Sequence, residues 1–152
     1  IPFNIVKSSI AILMLEVVEH TLKEEEENED LYDFLKTSLT QLDSENESVS
    51  NFHLYFLAQF THYIGINAQG KYSPETPYFN MQDGSFTSEI TNYNYLKGNL
   101  CQNFSDIIND ETININKSHR KELLETLLTY FQIHIEGFRK IKSLDVLESV
   151  LA

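Results

Sequence analysis

Six cations gather late in an otherwise acidic chain. Lys117, Arg120 and Lys121 open one helical stretch, and Arg139, Lys140 and Lys142 follow its end at Gly137. Clustered Lys and Arg attract carboxylates and phosphates. Residues 117–142 carry six basic side chains against three acidic ones, whereas residues 1–116 carry five against eighteen. An anionic partner is therefore expected to dock near the C-terminal segment. The competing reading is ordinary solvated charge, with Arg139 and Lys140 also answering a helix C-terminal dipole. A helix of roughly 18 residues separates the two clusters by about 27 Å, so one small pocket would need the chain to fold back.

Other reactive residue types form no catalytic constellation. The five glycines stand singly at 65, 70, 84, 98 and 137, which gives no phosphate-cradling loop. His20, His53, His62, His119 and His134 never fall in an HExxH arrangement, and no Glu lies three residues before a His. One cysteine, Cys101, cannot build a thiolate zinc site, and its place beside Leu100 on a helix fits a small buried hydrophobe. His134, near the apolar face of a helix, reads as a packed core or boundary residue. No catalytic residue, cofactor or metal is expected, and the chain is not expected to be an enzyme.

Residue spacing defines the elements that must position these groups. A first helix is expected from near Pro2 to about Lys23, apolar nearly all round its middle and so buried on several sides. The acidic run Glu24–Glu27 reads as a solvated connector leading into an acidic first turn, with an acidic lure for a basic partner as the other reading. A second helix, roughly 29–43, carries Leu31, Tyr32, Leu35, Leu39 and Leu42. The third, roughly 49–65, is dense in aromatics without interleaved Arg or Lys, which favours core over a base-stacking platform. Gly65 suits its left-handed end.

Helical spacing disappears between Asn67 and about residue 95. There Tyr78 to Ser88 reads as a hairpin with Asp83-Gly84 in a two-residue type I′ turn. Spacing returns at Leu96, Leu100, Phe104, Ile107 and Ile108. Ser118 can cap a long helix carrying Leu123, Leu124, Leu127, Leu128, Phe131 and Ile135, and Ser143 can cap a short last one. The expected fold is mostly α, a bundle of about six helices with one short β-hairpin inserted after the third.

At 152 residues the chain fits one domain over 1–152, large enough for a core without disulfides or metal. Sequons at Asn46, Asn103 and Asn116 come with no secretory signal, so they read as chance in an Asn- and Ser-rich chain. The longest strictly apolar run is six residues, Ile10 to Leu15, against about 20 for a membrane span. A lone cysteine fits a reducing, cytoplasmic setting. The opening Ile1-Pro2-Phe3 leads us to expect a fragment of a longer protein. The net charge of −12 argues against nucleic-acid binding by the whole surface.

The order of motifs resembles the C-terminal domain of the bacterial RecO family. The resemblance rests on Leu31-Tyr-Asp-Phe34-Leu35 with Leu39 and Leu42, on Phe60-Thr-His-Tyr-Ile-Gly65-Ile, on the hairpin Phe79 to Phe86, and on His134 leading to Ile141-Lys142-Ser143. It implies a recombination mediator that loads recombinase onto strands coated by single-strand-binding protein (SSB), anneals complementary strands, works with RecR, and turns over no substrate. An N-terminal OB-fold would carry much of the nucleic-acid contact. The helical part would receive the acidic, Phe-terminated tail of SSB, with Arg139, Lys140 and Lys142 beside Phe138 and Ile141 supplying charge and apolar surface. Lys117, Arg120 and Lys121 are further candidates for the tail or for weak single-stranded DNA contact. Two departures stand out. Asn67 to Pro77 occupies the place of a cysteine-rich zinc insertion without a cysteine, and Leu144 and Asp145 follow Lys142-Ser143 where basic residues are common. The competing function is a generic acidic helical module that contacts protein alone; basic side chains gathered round one apolar pocket would argue against it.

Overall fold

The computed structural model describes residues 4–22 and 28–152. The expected helix limits at Pro2 and Lys23, and the acidic run Glu24–Glu27, lie outside the described residues. Six helices and a small antiparallel sheet make the mostly α architecture that the periodicity implies.

The first helix, α1 (Ile5–Thr21), starts where the Asn4 side chain accepts from the Lys7 amide at 3.0 Å. Ile10, Leu13, Met14, Val17 and Val18 recur at three- and four-residue spacing and are all buried. The expectation of burial on several sides needs correction, because Ile5, Ile12 and Leu15 are exposed. In α2 (Glu29–Ser44), Asn28 caps the first turn by accepting from the Leu31 amide, and Glu29 and Asp30 complement the dipole. At its far end the Lys7 ammonium donates to the carbonyls of Asp43 and Glu45 at 2.8 and 2.6 Å, tying α1 to the last turn of α2.

Helix α3 (Phe52–Tyr63) is the hub, packed against both preceding helices and the two long ones that follow. Its dense apolar sequence is explained by that position, with Leu54, Leu57, Ala58 and Phe60 fully enclosed. Gly65 has a φ of +75°, and the Ile66 amide reaches back to the Thr61 carbonyl at 3.0 Å. This is the Schellman geometry that Gly65 suggests.

The aperiodic stretch is better ordered than its spacing implies. Strands β1 (Tyr78–Asn80), β2 (Ser85–Thr87) and β3 (Tyr95–Leu96) form a sheet in the order β2-β1-β3, so a third strand joins the expected hairpin. Leu96, assigned by spacing to the next helix, closes this sheet instead. The turn also differs. Asn80 pairs with Ser85, which leaves Met81 to Gly84 as a four-residue loop. A type I′ turn needs positive φ at both central residues, and here Gly84 has it while Asp83 does not. The cause is Asn80, whose side-chain oxygen accepts from the amides of Gln82 and Asp83 while its carbonyl accepts from Gly84. The segment before the hairpin docks on β2, where Gln69 accepts from Phe86 and donates to the Gly84 carbonyl.

Helix α4 (Gly98–Ile108) buries Cys101, Phe104, Ile107 and Ile108. Burial raises the Cys101 thiol to about 11, as befits a packing residue. Helix α5 (Lys117–His134) buries Leu123, Leu124, Leu127, Tyr130 and Phe131. The Tyr130 hydroxyl donates to the Ile66 carbonyl, and His134 Nε2 donates to the Met81 carbonyl at 2.7 Å, so α5 carries the whole excursion between residues 66 and 84. Helix α6 (Leu144–Val150) packs on α1. Rings link the core from end to end: Tyr63, Phe34, Phe56, Phe60, Phe131, Phe138 and His20 follow one another with centroids 4.3–5.9 Å apart.

Candidate anion-binding site

Asn116, not Ser118, caps α5: its side-chain oxygen accepts from the His119 amide at 2.9 Å, while Ser118 donates to that same oxygen. The helix thus begins two residues earlier than expected, and Lys117 becomes its first residue. Lys117, Arg120 and Lys121 crowd the positive end of the dipole, and the first turn holds no acidic residue. Local helix electrostatics disfavour this arrangement. Among the described residues none of the three makes an ion pair.

These three cations border a cavity of about 480 Å³. Its walls are Leu124 of α5 and Leu147 and Leu151 of the C-terminal segment, with Asn116 and Ser118 at the helix start and Glu148 as the single acidic member. Arg120 is held in place by its Nε, which donates to Asn51 Oδ1 at 2.9 Å. His53, on the first turn of α3, also lines the cavity and is fully buried. Burial, reinforced by the Arg120 charge, lowers its pKa to about 3, so the imidazole is neutral through the physiological range.

Arg139, Lys140 and Lys142 lie elsewhere. Arg139 and Lys140 form a ridge between two clefts. One, about 530 Å³, is lined by Glu125, Leu128, Phe138, Ile141 and Leu144 among others. The second, about 640 Å³, adds Lys142 and lies against Ile12, Leu15, Glu16, Glu19 and His20 of α1. Phe138 is wedged between Phe131 and His20, and Ile141 is buried, so both are largely committed to the core.

The cations of 117–142 therefore divide into two sets at opposite ends of α5. The first set converges on one strongly apolar cavity, while the second straddles two clefts of more polar lining. Spacing along the chain correctly separates the sets. It does not reveal His53, because nothing in an aromatic helix marks residue 53 as a neighbour of residues 120 and 147. Nor does it reveal Glu16, whose carboxylate accepts from the Lys142 amide at 2.6 Å, the Ser143 amide at 2.8 Å and the Ser143 hydroxyl at 2.6 Å. Ser143 is the first residue of α6's cap, but it donates to Glu16 and makes no side-chain cap of its own.

Among the described residues no group of three or more His, Cys, Asp or Glu side chains is placed to hold a metal ion, and no helix is long and apolar enough to cross a membrane.

Comparison with known proteins agrees with the order of motifs. A family model described as "Recombination protein O C terminal" matches residues 2–76. The whole chain is 34% identical to a DNA repair protein RecO of Flavobacterium psychrophilum, covering 65% of that protein. A DNA repair protein RecO of Christiangramia forsetii is 35% identical over 95% of the chain, with 62% of its own length covered. One from Phocaeicola vulgatus is 30% identical over all of the chain, with 66% covered. The chain thus spans just under two thirds of these curated relatives. No solved structure matches it.

Proposed function

The chain belongs to the RecO family of DNA repair proteins, and from that premise we propose that it is the part of a recombination mediator that holds partner proteins. It would receive the SSB tail, cooperate with a RecR-like protein, and assist strand annealing and recombinase loading without turning over a substrate. The observation that carries this reading is the cavity between α5 and α6, where three cations without an ion pair among the described residues meet apolar walls. An acidic peptide ending in Phe needs both features. The ring would enter between Leu124, Leu147 and Leu151, and burial of such a side chain contributes about 2 kcal/mol. The carboxylates would lie along Lys117, Arg120 and Lys121 at the positive end of the α5 dipole. The ridge at Arg139, Lys140 and Lys142 is the second candidate, for an acidic tail or for weak single-stranded DNA contact.

Titration of a labelled acidic peptide ending in Phe tests this reading, with a peptide lacking the terminal Phe as control. Reversing Lys117 and Lys121 to Glu should weaken binding at least tenfold, and deleting the Phe should abolish most of it. Reversal of Arg139, Lys140 and Lys142 should have the smaller effect. The opposite ranking would move the tail to the ridge. No saturable binding at all would favour the competing reading, an acidic helical module without a nucleic-acid role, which the net charge of −12 keeps in view.

A further inference from the structure

His53 is the one fully buried side chain of the cavity that carries hydrogen-bonding nitrogens, and no described protein group lies within hydrogen-bonding distance of either of them. Buried polar groups are almost always paired, so an unpaired one calls for an explanation. Leaving both nitrogens of a fully buried imidazole unpaired weakens the fold relative to an apolar residue of similar size. A purely structural role in the core would be filled better by leucine. The ring is also neutral at working pH, so one nitrogen carries a proton to give and the other a lone pair. Arg120 lines the same cavity, lies close enough to depress the His53 pKa and is itself held by Asn51, so an anchored guanidinium stands near the imidazole.

We propose that His53 is a specificity-determining residue of this cavity, donating its ring N–H to a carboxylate oxygen of a peptide chain end whose second oxygen meets Arg120. The inference rests on the reading of the cavity as the site for an acidic peptide ending in Phe, and it adds which side chains recognise the terminal carboxylate. A terminal carboxylate carries two acceptor oxygens at a fixed spacing, matched by one charged and one neutral donor. An internal acidic side chain could meet Lys117 and Lys121 at the rim, but it brings no chain end to the depth at which His53 lies. Glu148, the acidic member of the lining, repels a carboxylate, so the anion must be held by the cations and donors opposing it.

A double-mutant cycle between protein and peptide tests this. The wild-type chain and His53→Leu are each titrated with an acidic peptide ending in Phe, as the free acid and as the C-terminal amide. In the wild-type chain, amidation should weaken binding about tenfold or more. His53→Leu should weaken binding of the free acid by about tenfold and change binding of the amide less than about threefold, the size expected of one hydrogen bond to a charged group. At the same time His53→Leu should raise the melting temperature by about 2–4 °C, since it removes an unpaired buried polar group. Should His53→Leu not fold, His53→Gln, which keeps a donor, should retain free-acid affinity within about threefold. The ring nitrogen signals of His53 in the wild-type chain should move on adding the free acid and stay put with the amide. Tight binding of the free acid with no coupling to His53 overturns this inference and leaves the cavity reading standing. No binding of either peptide by the wild-type chain overturns both.

Discussion

Glu16 does for α6 what no residue of α6 does for itself. Seven-residue helices are poor at holding their own ends, and this one has two amides and a hydroxyl of its entry captured by a carboxylate from α1. Burial opposes the charge on Glu16, but the bonds from Ser143 and Lys142, with His20 alongside, outweigh it and bring its pKa below the ordinary value. A carboxyl whose folded pKa is depressed adds stability that is fully present above the unfolded value, about 4.3, and is lost as pH falls through the folded value. Glu16→Ala should therefore cost about 2 kcal/mol at neutral pH. Urea melts of wild type and Glu16→Gln should differ by a constant amount down to about pH 5 and draw together as pH falls below the unfolded value and through the lower folded one. A gap that persists in acid would show that shape rather than charge is what Glu16 supplies. None of this is legible along the chain, since a hydrogen bond between residues 16 and 143 leaves no mark in either one's local sequence. The cations are legible, because charge density needs no third dimension to be counted; which of them share a cavity does need it.

Elements repeat the lesson in another form. Helix limits and faces follow from caps and apolar spacing, and α2, α3 and α5 lie within a few residues of expectation. The hairpin turn does not, because Asp-Gly is only half of its chemistry. The Asn80 side chain ties up two amides of the loop and lengthens it to four residues, a competition between side chain and backbone that the dipeptide signal ignores. Two glycines then offer a paired test. Gly65 and Gly84 both hold positive φ, but a methyl group at 65 meets open space while one at 84 would lie 2.6 Å from the Tyr130 hydroxyl. Gly65→Ala should cost about 1 kcal/mol, the backbone penalty alone. Gly84→Ala should cost more than about 2 kcal/mol, because the Tyr130 ring is fixed by its bond to Ile66 and cannot step aside. Denaturant midpoints at unchanged slope would measure both. Equal losses would mean that the hairpin tip yields to Tyr130 more readily than its bonds imply.

At the scale of the molecule, charge and core make separate statements. Acidic side chains outnumber basic ones by 23 to 11, and six of the eleven cations are split between the two ends of α5, so few phosphates can be met at once. Single-stranded DNA should bind weakly and lose affinity steeply as salt rises, with a Kd well above about 1 µM at physiological ionic strength. Fluorescence anisotropy against a salt series measures this, and sub-micromolar binding at physiological salt would contradict it. The core, by contrast, is continuous. The row of rings from Tyr63 to His20 crosses α2, α3, α5 and the segment beyond it, so a cavity cut at Phe60 or Phe131 should loosen both ends of the molecule together.

The clasp of α6 by α1 also dictates when the protein can finish folding. The partners in it are 127 residues apart in sequence, so the face of α1 that α6 covers stays wet throughout synthesis of everything between them. Closing so long a loop is slow, and a ribosome must release the last helix before it can happen. A chain halted just past α5 would own all its long helices and still have no way to shut. Such truncated products, with the face of α1 that α6 covers left exposed, are expected to be held by chaperones or degraded.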